Sequence, residues 1–163
     1  MRVSGETNDL IRSFTEYRDC RLRFVRSLDI GISHRDPLSE FAEALVAQVV
    51  QGKLADNKVQ KGWDILTEAK ERVQVKYLAN PSRGSWMNWH TMIRDDGWDW
   101  YALVLYLDLL PQAIYFFPNK DLTDICHALG KRHGDQDSQL QFTKTNHQAI
   151  SADPEKYEKL GMK

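Results

Sequence analysis

The sequence lacks the features that mark several common classes of protein. Its two cysteines, Cys20 and Cys126, form no C-x-x-C pair, which argues against a disulfide framework or a zinc ribbon and indicates reduced thiols. The most apolar stretch, residues 101–117, is interrupted by Asp108 and Pro111, so we do not expect it to span a membrane. There is no G-x-G-x-x-G, P-loop or G-x-S-x-G motif, which leaves dinucleotide-binding and serine-hydrolase chemistry without support.

The balance of charged residues bears on which partners the chain is expected to bind. The chain carries 22 Lys and Arg against 23 Asp and Glu, for a formal net charge of -1. This balance argues against a generally basic nucleic-acid coat, but it is compatible with acids gathered at a metal and bases along a local groove. Because the cysteines are expected to be reduced and the first ten residues hold no apolar run, we expect a cytoplasmic location without a membrane.

A hairpin is predicted in the segment GWDILTEAKERVQVKYL, residues 62–78. Residues 63–66 are β-prone, and residues 68–71 form a charged turn that disfavours a strand. In residues 72–77 polar and apolar side chains alternate, so a strand there would place its polar side chains on one face and its valines in the core.

The polar face of this hairpin gathers three kinds of chemical group. A register that sets Asp64 opposite either Gln74 or Lys76 brings a carboxylate, an amide and an ammonium together, whereas a register shifted by one residue separates them. Carboxylate and amide oxygens are hard ligands suited to Mg²⁺, and a lysine can hold a water or balance a phosphate. The pattern therefore indicates a metal-dependent site for phosphate chemistry.

These residues carry a resemblance to a known family. Asp64, a spacer of nine residues and Gln74-x-Lys76 resemble the PD-(D/E)xK signature of the restriction-endonuclease-like superfamily, in the variant with Gln in place of the second acid. That variant is familiar in Mrr-like type IV restriction enzymes. Trp63 stands where the signature often has Pro, and Gln74 removes one negative charge, which predicts weaker metal binding. The resemblance covers about residues 39–118, roughly half of the chain.

The superfamily also places a glutamate on a helix before the first core strand. Residues 39–50 predict such a helix, with Glu40 and Glu43 as candidates. Glu43 falls on the same side as Val46 and Val50, whereas Glu40 lies near the helix start, where the dipole favours an acid anyway. We prefer Glu43, because a carboxylate in an apolar surface needs a partner such as a metal.

The resemblance implies an α/β fold with a mixed central sheet flanked by helices, built on a restriction-endonuclease-like core. It implies a Mg²⁺-dependent DNA endonuclease of restriction or restriction-like defence type. Asp64, Gln74, the Val75 carbonyl and Glu43 would bind the metal, and Lys76 would position the attacking water. Since double-strand cleavage needs two such sites, a homodimer acting on double-stranded DNA is expected.

We expect one nuclease domain over residues 1–163. Residues 1–38, which include one or two predicted helices, would form an N-terminal helical extension. Residues 39–133 would form the catalytic core, and residues 134–163 a C-terminal tail.

Within the core, residues 100–107 and 112–117 predict apolar strands covered on both faces. A helix is predicted from Leu122 to about residue 131, and residues 140–143 predict a last short strand.

A long irregular loop is predicted over residues 78–97. If the chain is a nuclease, this loop is where DNA readout is expected, through Arg83, Trp86, Asn88 and Trp89. The alternative is that both tryptophans pack beneath the loop or in a dimer interface.

Three other functions or folds are consistent with the sequence. A Holliday-junction resolvase would share the fold and the metal site. A non-catalytic DNA-binding protein on the same fold is favoured if Gln74 is too weak a ligand. An unrelated α/β domain with an accidental motif is the third.

Overall fold

The protein is described here from a computed structural model. The described residues are 5–28, 36–55, 62–80, 87–93, 97–108, 110–130 and 139–163. They belong to two compact units, Met1–Phe41 and Ala42–Lys163, with one helix running across the boundary. The single nuclease domain with a helical extension over residues 1–38 stays a prediction.

The helices are α1 (Gly5–Ser27), α2 (Pro37–Val49), α3 (Leu122–Ala128), α4 (Lys144–Ala152) and α5 (Pro154–Glu158). The strands are β1 (Lys53–Leu54), β2 (Ile65–Leu66), β3 (Arg72–Asn80), β4 (Met87–Ile93), β5 (Trp100–Leu107), β6 (Leu110–Pro118) and β7 (Gln139–Thr143). No helix in the described part of the chain combines the length and the apolar composition needed to cross a bilayer.

The first unit is dominated by α1, a single helix of 23 residues. Its Val25 is buried, and the ring of Phe24 lies 5.9 Å from that of Phe41, centroid to centroid. Toward the other end of α1, Phe14 is 66% exposed. The buried apolar contact described for this unit therefore lies at the C-terminal end of α1.

The second unit contains a five-stranded sheet in the order β1-β2-β3-β5-β6. The strands β1, β2 and β3 pair antiparallel, β3 pairs parallel with β5, and β5 pairs antiparallel with β6. A separate two-stranded sheet pairs β4 with β7. The expected α/β class with a mixed central sheet is thereby confirmed.

Strand β5 lies at the centre of the folded unit. Its residues 101–106 are all buried, as expected for an apolar strand with neighbours on both edges and cover on both faces. Strand β6 lies at the edge of the sheet and tolerates Pro111 there. At the outer side of β6, the backbone of Phe116 and Lys163 is joined by two hydrogen bonds of 2.9 and 3.2 Å.

The main core covers one face of this sheet. Alternate residues of β5, among them Leu103 and Leu105, pack with Phe117 of β6 and with buried residues of the helices. The chain after residue 134, expected as a tail, supplies β7, α4 and α5, and places Phe142 and Tyr157 in this core. The apolar residues of this segment are spread thinly among polar ones, so its buried side was not evident from the sequence.

Two expectations about single elements need correction. The predicted loop of residues 78–97 instead begins within β3, and its residues 87–93 form β4. The pairing that makes β4 a strand comes from β7, far along the chain, and the local sequence gives no sign of that partner. Helix α3 ends at Ala128 rather than near residue 131, whereas the strand predicted at residues 140–143 is confirmed as β7.

Candidate metal site

The pairing of β2 with β3 decides whether the predicted cluster forms. Ile65 lies opposite Val73, so this register sets Asp64 opposite Gln74. The backbone nitrogen of Asp64 donates to the Val73 carbonyl at 2.9 Å. A tight turn between the strands holds this register, with a backbone hydrogen bond of 2.9 Å from Thr67 to Glu71. It is one of the two registers that bring the polar groups together.

The carboxylate of Asp64 is held by β3. Its Oδ2 accepts hydrogen bonds from Gln74 Nε2 at 2.6 Å and from the Val75 backbone nitrogen at 2.7 Å. Because β2 is only two residues long, the side chain of Asp64 supplies an acceptor where the strand has ended. Gln74 Nε2 also lies 3.4 Å from the Val75 carbonyl oxygen. Three of the predicted metal ligands are therefore in mutual contact.

Lys76 follows two residues later on the same strand. In the parallel pairing with β5, Gln74 lies opposite Tyr101 and Lys76 opposite Leu103. Since side chains alternate along a strand, Gln74 and Lys76 share one face of the sheet. Lys76 is half-buried, as is common for a lysine whose aliphatic stem packs while its ammonium reaches water.

Tyr101 is a residue of this site that sequence reasoning missed. It is only 4% exposed, and its hydroxyl has no hydrogen-bond partner among the described residues. Burial, and secondarily the nearby charge of Asp64, raise the pKa of this hydroxyl far above its usual value. Tyr101 is therefore a neutral phenol beside a carboxylate. A hydroxyl in a strand expected to be covered on both faces was the available signal, because such a group needs a partner.

The two candidate glutamates lie on α2. Glu43 is 8% exposed, and Glu40 only 2%, with neither carboxylate oxygen of Glu40 hydrogen-bonded within the described ranges. Both are thus more buried than a solvated helix acid.

Gly52, just after α2, lets the chain approach β2 closely, since a Cβ there would lie 2.5 Å from Ile65 Cγ2.

Among the residues that the structure describes, no three His, Cys, Asp or Glu side chains are grouped as a metal site. The donors that do meet are the Asp64 carboxylate, the Gln74 amide and the Val75 carbonyl. Oxygen donors of these kinds suit Mg²⁺, and a single carboxylate predicts weak binding. The oxygens of these groups are of the kinds that Mg²⁺ prefers, but Gln74 presents its amide nitrogen, and not its oxygen, to Asp64.

The structure describes two of the four candidate DNA-reading residues, and those two only in their backbone. Arg83 and Trp86 lie outside the described residues, and Asn88 and Trp89 belong to β4, where the backbone alone is described. Their role in DNA readout stays a prediction.

Comparisons of the chain with protein-family models and with curated proteins found no match.

Proposed function

We propose that this chain is a Mg²⁺-dependent nuclease that hydrolyses phosphodiester bonds of double-stranded DNA on a restriction-endonuclease-like core. The observation that carries the proposal is the contact of Asp64 with Gln74 and Val75 across the β2–β3 register. The same residues form the D-x(n)-QxK pattern that resembles the PD-(D/E)xK superfamily. A pattern in sequence and a contact in space thus point to the same small group of side chains.

The Asp64 carboxylate, the Gln74 amide oxygen and the Val75 carbonyl would hold the ion, with Glu43 as a further acid. When bound, Mg²⁺ supplies Lewis-acid polarisation of a phosphate and acidifies a coordinated water. Gln74 now presents its amide nitrogen to Asp64, so its amide group must rotate about the terminal bond to offer oxygen. That rotation is inexpensive, because this torsion is broad in glutamine.

Lys76 would act on the same face of the sheet. A lysine ammonium there orients an attacking water and offsets the negative charge that develops on the phosphate oxygens. The half-buried setting of Lys76 limits competition from bulk water and strengthens this electrostatic effect.

The cellular role and the assembly belong to the same proposal. A restriction or restriction-like defence enzyme in the cytoplasm cuts both strands, so two copies of the site would act as a homodimer. Arg83, Trp86, Asn88 and Trp89 are the candidates for contact with DNA bases, through guanidinium and amide hydrogen bonds and through stacking.

The test is a cleavage assay with the full chain on plasmid DNA, linear duplex and four-way junctions, in Mg²⁺ or in EDTA. Cleavage is expected only with Mg²⁺. Asp64→Asn should abolish it, and Lys76→Ala should slow single-turnover cleavage by about 10²- to 10³-fold. Lys120→Ala removes an exposed lysine distant in sequence and serves as the matched control. A preference for four-way junctions would favour the resolvase-like alternative.

A non-catalytic DNA-binding role is the second candidate. The observation that favours it is that Asp64 already accepts two hydrogen bonds from β3, which is a sufficient structural use for one carboxylate. Under this reading the folded protein shifts DNA in a gel without cutting it, and Mg²⁺ leaves its thermal stability unchanged.

A further inference from the structure

A groove lies on the face of the five-stranded sheet opposite to Gln74 and Tyr101. Val73 and Trp100, the strand neighbours of those two residues, point to this other face because side chains alternate. The groove has a volume of about 590 Å³, and its apolar lining includes Val73, Trp100 and Phe116. It is a separate site from the Asp64 cluster.

The groove offers apolar surface that the fold itself leaves uncovered. Val49, at its mouth, is 55% exposed. Trp100, Ile114 and Phe116, on its floor, are only half-buried. A concave, mostly apolar cavity of this size is typical of sites for small molecules, which occupy about 300–1,000 Å³.

The charged groups around the groove favour a positive ligand. Glu68 and Glu71, from the turn between β2 and β3, line it, and Lys163 is the cation among its described lining residues. The ammonium of Lys163 lies 4.3 Å from the centroid of the Trp100 ring. An indole face attracts a cation through its quadrupole. The groove thus already contains one ammonium seated on its aromatic floor.

We propose that this groove binds a small organic cation, an amine or quaternary ammonium with an apolar body. The ligand nitrogen would take the face of Trp100 near Glu68 and Glu71, and its apolar body would cover Phe116 and Val49. Lys163 is the internal competitor for the indole face. A ligand therefore binds by displacing the Lys163 side chain, which is exposed, from the Trp100 ring.

An anionic ligand fits the same groove less well. Within the described part of the chain, two carboxylates line the cavity, and Lys163 points its ammonium at an aromatic ring. An anion would meet like charge at Glu68 and Glu71, and it would draw Lys163 off the indole. Charge complementarity therefore selects the cation.

The test uses calorimetric titration of the full chain with three probes of one shape: 4-phenylbutylamine, 4-phenylbutanol and 5-phenylpentanoate. The amine should bind at least about threefold more tightly than the alcohol, the scale of a partly exposed cation–π contact. Lys163→Gln should tighten amine binding by a similar factor, because the internal competitor is gone. Lys156→Gln is the matched control, since the Lys156 ammonium lies over the Tyr157 ring instead, 5.2 Å from its centroid.

Glu71→Gln should weaken amine binding by about threefold and leave alcohol binding unchanged, because only the charged probe interacts with the carboxylate. Trp100→Leu should reduce amine binding more than alcohol binding. If that variant unfolds, as judged by circular dichroism, the Glu71 and Lys163 variants decide the matter. The proposal is overturned if 5-phenylpentanoate binds more tightly than the amine, if Lys163→Gln weakens amine binding, or if no probe binds at millimolar concentration.

Discussion

The carboxylate of Asp99 anchors the first residue of β3: its Oδ2 accepts a 2.7 Å hydrogen bond from the backbone nitrogen of Arg72. The guanidinium of Arg72 reaches the same carboxylate, with Nε 3.2 Å from Oδ2 and an Nη nitrogen 3.3 Å from Oδ1. The backbone of Asp99 returns a bond of 2.8 Å to the Arg72 carbonyl. These contacts fix where the parallel pairing of β3 and β5 begins, two residues before Gln74.

This contact predicts a dependence of stability on pH. The side-chain hydrogen bond from Arg72 is the largest of the effects that hold the pKa of Asp99 below its usual value in the folded protein. A lowered folded pKa means that the stabilisation is present above the unfolded pKa of about 3.9 and is lost as the pH falls through the folded pKa. Melting temperatures measured from pH 7 to pH 2 should show this loss in the wild type.

Asp99→Asn should lack that part of the acid dependence, so the difference in melting temperature between wild type and variant should shrink as the pH falls. Asp124→Asn, an exposed acid of α3, is the control. Parallel profiles for wild type and Asp99→Asn throughout this range would contradict the assignment.

The second prediction separates the structural role of Asp64 from its chemical one. Asp64→Ala removes the acceptor of the Val75 backbone nitrogen and should lower the free energy of unfolding by about 1–3 kcal/mol, the cost of an unpaired buried donor. Asp64→Asn keeps an acceptor oxygen and should lose less than half of that, while losing the charge that a metal requires. Urea unfolding of the two variants provides the comparison, and equal losses would show that the hydrogen bonds do not matter.

The third prediction concerns Gln74→Glu. A carboxylate at this position would lie within hydrogen-bond distance of Asp64, where two like charges repel. Without metal, the variant should melt several degrees below the wild type. Millimolar Mg²⁺ should bring the melting temperature of the variant back toward that of the wild type, because the ion pairs with both acids. The Mg²⁺ concentration needed for half-maximal cleavage should also fall. The metal assignment fails if Mg²⁺ leaves the melting temperature of this variant unchanged.

The fourth prediction concerns Tyr101, whose buried hydroxyl has no described partner. Removing an unpaired buried hydroxyl stabilises a fold, so Tyr101→Phe should raise the free energy of unfolding by about 1 kcal/mol. If the hydroxyl donates to Asp64 or to a bound phosphate during the reaction, the same change lowers cleavage several-fold. Phe117→Leu, in the neighbouring strand, controls for simple repacking. A variant that is both less stable and fully active would contradict this account.

Local patterning carried the prediction of the hairpin. The alternation in residues 72–77 and the charged turn before it were visible in the sequence, and the register that followed is one of the two that bring Asp64 to Gln74. Strand β5 was equally evident, because a strand buried on both faces appears in the sequence as a continuous run of apolar residues. The hairpin pairs with neighbours that are close in sequence, and the composition of β5 alone marks it as a buried strand.

What the sequence did not reveal depends on distant partners. Residues 87–93 form a strand only because β7 pairs with them. Tyr101 belongs to the site only because parallel pairing sets it opposite Gln74. Likewise, Glu40 was assigned to the helix dipole at the start of α2, yet it is the more buried of the two glutamates. Periodicity indicates which side of an element is buried, but it does not identify what covers that side.

The pairing of Phe116 with Lys163 also affects how separate copies of the chain interact. Strand β6 is the outermost strand of its sheet, and Lys163 occupies both backbone groups of Phe116 there. A chain cleaved after residue 158 would leave both backbone groups of Phe116 open, within the apolar run of residues 114–117. An open apolar edge is a template on which a second chain adds as a further strand. Proteolytic cleavage after residue 158 is therefore expected to favour aggregation into intermolecular β-structure.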